Sequence, residues 1–105
     1  MRLFQQGDVL IQQVEKLPKG AQPKAPEAQG YILAHGEVTG HSHAIEVEEG
    51  VQLYTLDQIL YLVAEHEVAV THQEHGTVML PAGTYQIGQV KEFDYLANEA
   101  RNVRD

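Results

Sequence analysis

The feature that most constrains this chain is its punctuation. From Gly7 to Val90, short runs rich in β-branched and aromatic residues are each closed by glycine, proline or a short polar pair. Runs of that length, bounded in that way, read as strands. Gly7 to Val14 is the first, and Tyr31 to Ala34 resumes the extended pattern. His43 to Val47 alternates, placing Ile45 and Val47 inward and Ala44, Glu46 and Glu48 outward; a turn at Glu49-Gly50 then makes Val51 to Leu56 its hairpin partner. After a second turn at Asp57-Gln58, Ile59 to Ala64 is apolar on both faces and too short for a helix, as a buried central strand should be. Val68 to His72, Thr77 to Leu80 and Thr84 to Val90 complete the series, with a tight reversal at Pro81-Ala82-Gly83. Seven or eight short strands with no crossover helix between them predict an all-β fold, a small antiparallel barrel or two-sheet sandwich.

Two segments depart from this pattern. Glu15 to Gly30 carries all but one of the four prolines, two glycines and Lys16, Lys19 and Lys24, with no apolar period. It reads as a long loop, either mobile or functional in the manner of a flap. From Asp94 onward, Leu96, Ala97, Ala100 and Val103 recur at helical spacing, with Asp94 as N-cap and Arg101 and Arg104 near the end that favours cations. The spacing predicts a short terminal helix over 94–105. At 105 residues the chain is expected to form a single domain, 1–105, around one core.

Composition narrows the chemistry. With 7 basic and 15 acidic residues the formal charge is -8, which favours solubility and disfavours phosphate backbones and anionic membranes. There is no cysteine, so disulfides, thiolate ligands and cysteine nucleophiles are excluded together, and any metal site must use His, Asp or Glu. The amino terminus has no apolar core of signal-peptide length, and no apolar run approaches a membrane span, so a cytoplasmic protein is expected. A fold this small gains core by pairing, which makes a homodimer the expected assembly.

The chemical centre is Gly36-Glu37-Val38-Thr39-Gly40-His41-Ser42-His43-Ala44-Ile45. In an extended segment, side chains two apart point the same way, so His41 and His43 share a face with Ile45 and Val47. A buried imidazole needs a hydrogen-bond partner or a metal to offset its desolvation. His72 repeats the pattern on the face of Val68 and Val70, and His75 follows it. Two pairs from neighbouring strands supply four nitrogens, which makes His41, His43, His72 and His75 the candidate ligands of a divalent metal. Glu37 and Glu74 are the accompanying carboxylates, each suited to be a further ligand, an orienting partner of an imidazole or a general base beside a metal-bound water. Without sulfur, the candidate ions are zinc, iron, manganese, nickel or copper. Metal-assisted hydrolysis or oxygen chemistry on a small-molecule substrate is the reaction class such a site supports.

Two other readings stand beside it. One is a non-catalytic module that binds a protein partner through a sheet edge or the terminal helix, its histidines serving to fix turns. The other is a metal-free enzyme in which two histidines act as general base and acid, as in RNA cleavage, with the loop lysines near the site to offset the acidic balance. His35 and His66 read as solvent-facing loop or turn residues, Glu46, Glu48, Glu49, Glu65 and Glu67 as solvated carboxylates, and Tyr54, Tyr61 and Tyr85 as core or interface aromatics. There is no nucleophile elbow and no phosphate-binding glycine loop.

His41-Ser42-His43 followed by Glu46 and Gly50, with Pro81-Ala82-Gly83 later, resembles the signature pieces of the cupins. These are metal-binding β-barrels whose ligands are histidines and a glutamate, and the resemblance implies a barrel and a metal. In cupins the last histidine follows the Pro-X-Gly turn, whereas His75 precedes it here. Gly-Glu-Val-Thr-Gly-His-Ser-His at 36–43, His-Gln-Glu-His-Gly at 72–76 and Leu-Pro-Ala-Gly-Thr-Tyr at 80–85 are similar to a group of short bacterial and phage proteins of unassigned function. That second resemblance implies no activity, and it marks the same histidines.

Overall fold

The computed structural model describes residues 1–36 and 40–90. Within them the chain is all β: β1 (Leu3–Gln6), β2 (Val9–Val14), β3 (Gln22–Lys24), β4 (Tyr31–His35), β5 (Ser42–Ile45), β6 (Val51–Leu56), β7 (Ile59–Ala64), β8 (Val68–Val70), β9 (Val78–Leu80) and β10 (Gly83–Gln89). Glu37 and the helix expected over 94–105 lie outside the described residues. No described helix is long and apolar enough to cross a membrane.

One layer is a six-stranded sheet in the order β1-β2-β10-β7-β6-β3. The other is built from the pairs β4-β5 and β8-β9, joined where Ala44 and Thr71 bridge antiparallel. Every ladder is antiparallel. The large sheet ends at β1 and β3 and does not close, so the architecture is sandwich-like rather than a cupin-type barrel. Inward side chains from both layers make one core: Val9, Ile11, Leu53, Leu62, Tyr85 and Ile87 from the large sheet meet Leu33, Ile45, Val68, Val70 and Leu80 from the smaller one. Tyr85 is fully buried, and its hydroxyl donates to the Pro81 carbonyl at 2.6 Å, so the ring fills the core without an orphaned polar atom.

Ile59 to Ala64 is the predicted central strand, lying between β10 and β6. The Asp57-Gln58 turn has φ of 52° and 69°, the left-handed pair that suits the twist of a two-residue hairpin. Three expectations are corrected. The strand expected over Gly7 to Val14 begins at Val9, as β2, and a further strand, β1, precedes it: Gly7-Asp8 is a two-residue hairpin loop, with Gln6 opposite Val9 across it. The long loop contains β3, whose Pro23 sits where proline is tolerated, on an edge.

The third correction concerns β5. It does not pair with Val51 to Leu56; its neighbours are β4 and Thr71, while β6 pairs with β7 and β3. Val47 is 54% exposed, and Ala44 is buried, the reverse of the alternation read from sequence. All four residues of β5 are buried because Gln29 and Gln73 cover its outer face. Ser42 Oγ donates to Gln29 Oε1 at 2.9 Å, and the Ser42 amide donates to Gln73 Oε1 at 2.9 Å.

Candidate functional site

The four predicted histidines converge. Ring centroids of His43 and His72 are 4.4 Å apart, His72 and His75 4.6 Å, His41 and His72 5.7 Å, and His43 and His75 5.9 Å. His41 and His43 enter at the start of β5, and His72 and His75 follow β8. The Ala44–Thr71 bridge brings the two segments side by side, with Ala44 and Thr71 exchanging backbone hydrogen bonds of 3.0 and 2.9 Å. Close packing is made possible by Gly36, where an added Cβ would lie 3.0 Å from His41 Cβ and 3.3 Å from His72 Nε2.

Each ring is held differently. His43 is 2% exposed, and its Nδ1 lies 2.8 Å from Gln6 Oε1. The buried Gln6 amide nitrogen donates to the carbonyls of Val70 and Gly76, both at 2.9 Å, which fixes the oxygen toward the ring. An amide oxygen only accepts, so the His43 proton sits on Nδ1 and Nε2 keeps its lone pair. His41 Nδ1 is 3.4 Å from Glu74 Oε2, a carboxylate placed to orient that ring in the same sense. His72 is opposite: its Nδ1 accepts the Glu74 amide at 3.0 Å, so the neutral ring carries its proton on Nε2. His75 is exposed and lies over Gly7. Burial above all, then the neighbouring His72, lowers the His43 pKa; burial followed by His75 and His41 lowers that of His72. The neutral forms of His43 and His72 are thus favoured near neutral pH.

Among the described residues, no three His, Asp or Glu side chains already surround one point as a coordination sphere. The rings are gathered in edge, tilted and stacked pairs, so side chains must rotate before their nitrogens meet at one ion. An open groove of about 370 Å³ adjoins the cluster, lined by Gln29, Ser42, Ala44, Thr71, His72 and Gln73. Apart from His72, its lining has no titratable side chain.

Sequence reasoning missed Gln6 and Asp8. Asp8 Oδ1 lies 3.7 Å from His43 Nε2, while Oδ2 accepts from Gln89 Nε2 at 2.8 Å. The available signal was the Gly7-Asp8 pair, a two-residue hairpin loop between two strand-like runs. His35 and His66 stand apart from the cluster, both exposed. His35 meets Glu27 at 3.4 Å. His66 is more than a solvated turn residue, because its two ring nitrogens each lie 3.0 Å from a carbonyl oxygen, of Glu67 and of Glu49. Two acceptors facing both nitrogens favour the cation and raise its pKa.

No curated protein and no solved structure matches the chain. A family model does, over residues 5–89, a span that holds Gln6, Asp8 and all six histidines. The chain therefore belongs to the family described as domain of unknown function DUF8820.

Proposed function

We propose that this protein binds a divalent transition-metal ion through His41, His43, His72 and His75. The observation that carries the reading is the Gln6–His43 contact. A fully buried imidazole has its Nδ1 proton held by an amide that is itself held by two carbonyls, and its Nε2 keeps the lone pair that a metal needs. Ligating histidines are oriented in this way by partners on the far nitrogen. Glu74 stands in the same relation to His41. For His72 to offer Nε2, its proton must leave, and the neutral tautomer must exchange the Glu74 amide bond for a proton on Nδ1. A bound ion would supply Lewis acidity and an acidified water, the chemistry of hydrolysis or of oxygen activation. The groove beside His72, with its amides and hydroxyls, is where a small uncharged substrate would lie.

The test is thermal melting with zinc, manganese, iron(II), nickel or chelator. Saturation at about 100 times Kd stabilises the native state by about 2.7 kcal/mol, and the His41→Ala/His43→Ala variant should lose that gain. No shift with any ion would oppose the reading.

A second reading draws on the unlike tautomers: His43 offers a lone pair and His72 an N–H, a base and an acid side by side without a metal. Phosphodiester cleavage suits it less, because Lys24 lies on β3, at the sheet edge opposite β1. Hydrolysis of a neutral ester that persists in excess chelator would favour this second reading.

A further inference from the structure

The turn between β1 and β2 contributes to the site, although nothing in the histidine motifs points to it. His43 Nε2 carries a lone pair because Nδ1 holds the proton toward Gln6. What faces that lone pair is Asp8 Oδ1 at 3.7 Å, an atom that also only accepts when ionised. The other Asp8 oxygen takes a hydrogen bond from Gln89, and the Asp8 carbonyl takes one from the Val90 amide at 2.7 Å, so the carboxylate is held at this spot from two sides. Two acceptors facing each other, one 2% exposed, make an arrangement that is completed by a cation between them. The 3.7 Å gap is shorter than two metal–ligand bonds laid end to end, about 4.0 to 4.3 Å for an imidazole nitrogen and a carboxylate oxygen on zinc, so one ion can touch both.

We infer that Asp8 is the carboxylate ligand of the metal site, binding the same ion as His43 Nε2. The inference rests on the metal-binding reading above and replaces Glu37 and Glu74 as the oxygen donor. The exposed His75 ring, stacked on His43 at 13° with centroids 5.9 Å apart and packed over Gly7 of the same turn, is the third donor of this arrangement. Glu74 then keeps its place as the partner of His41. A mixed nitrogen and oxygen set of this kind suits borderline divalent ions and leaves positions open for water or substrate.

Cobalt(II) titration of the parent, Asp8→Asn and Glu65→Gln tests this by visible absorption. Asn preserves the shape of Asp8 and an oxygen for Gln89; Glu65, exposed in the β7–β8 turn, controls for the loss of one negative charge. Loss of an outer partner of a ligand costs about 10 to 100-fold in affinity, so loss of a ligand should weaken cobalt binding by more than about 100-fold in Asp8→Asn. Glu65→Gln should bind as the parent does, and the metal-free melting temperatures of all three should agree. Parent-like affinity and spectrum in Asp8→Asn would overturn the assignment of Asp8 while leaving the histidine site standing. A parent that takes up no cobalt would overturn the metal reading and this inference together.

Discussion

Gln6 shows how a single side chain far from any motif can set the chemistry of a site. Its amide makes three hydrogen bonds in a buried setting, to Val70, Gly76 and His43. Gln6→Leu leaves the buried Val70 carbonyl, the part-buried Gly76 carbonyl and one buried ring nitrogen without this partner, so it should destabilise the fold by about 2–4 kcal/mol. Urea unfolding measures this, and a change under about 0.5 kcal/mol would count against the network. The histidines themselves should titrate in two groups. In metal-free protein, His43 and His72 should have NMR midpoints below the ordinary value of about 6.5, and His66 above it. The sign for stability follows. At His43 and His72 the unfolded chain takes up protons first, so stability falls as pH drops below about 6.5. His66 acts the other way, favouring the fold at low pH and losing its contribution as pH rises through its raised pKa. A His43 midpoint above that of His66 would contradict the burial of His43 and the paired carbonyl acceptors at His66. The residue types and the parity of His41 with His43 were legible in the sequence. The tautomers were not, because Gln6 reaches His43 across 37 positions of chain.

At the scale of elements, the turns were read better than the pairings. Asp57-Gln58 carries its own dihedral preference, and Ile59 to Ala64 announces a central strand by being apolar on both faces, although Ile59 is exposed and Leu60 and Val63 are half-buried. The partner of β5 carries no such local mark. Glu49-Gly50 resembles a hairpin turn, yet β5 pairs backward with β4 through a register shift between Ile32 and Ala34, and forward only with Thr71. A shift of that kind breaks the simple alternation on which inside and outside are read, and Tyr31, Ile32 and Leu33 are all buried in consequence. The β1–β2 turn offers a sharp test of how the hairpin supports the site. Gly7 has φ of 57°, and a Cβ there would lie 2.6 Å from His75 Nε2. Gly7→Ala should therefore cost about 1–2 kcal/mol for the left-handed backbone and push His75 aside. Gly76→Ala, where an added Cβ meets nothing within 4 Å, should leave the melting temperature and the His75 resonances nearly unchanged. Equal behaviour of the two variants would show that His75 does not rest on Gly7.

For the whole molecule, the sandwich-like architecture explains why residues from positions 6 to 75 meet. The β1–β2 hairpin of the large sheet comes against the β4-β5 and β8-β9 pairs, and the histidines stand where these parts join. All-β class and antiparallel order were legible because each run carries local signals. The open large sheet and the site at the junction were not, since both depend on long-range packing. The central claim is that this junction holds a metal ion. Metal content by mass spectrometry, on untagged protein purified without chelator beside the His41→Ala/His43→Ala variant, tests it most directly. The account predicts close to one divalent ion per chain in the parent and none in the variant; a metal-free parent that also gains no thermal stability from added divalent ions would contradict it.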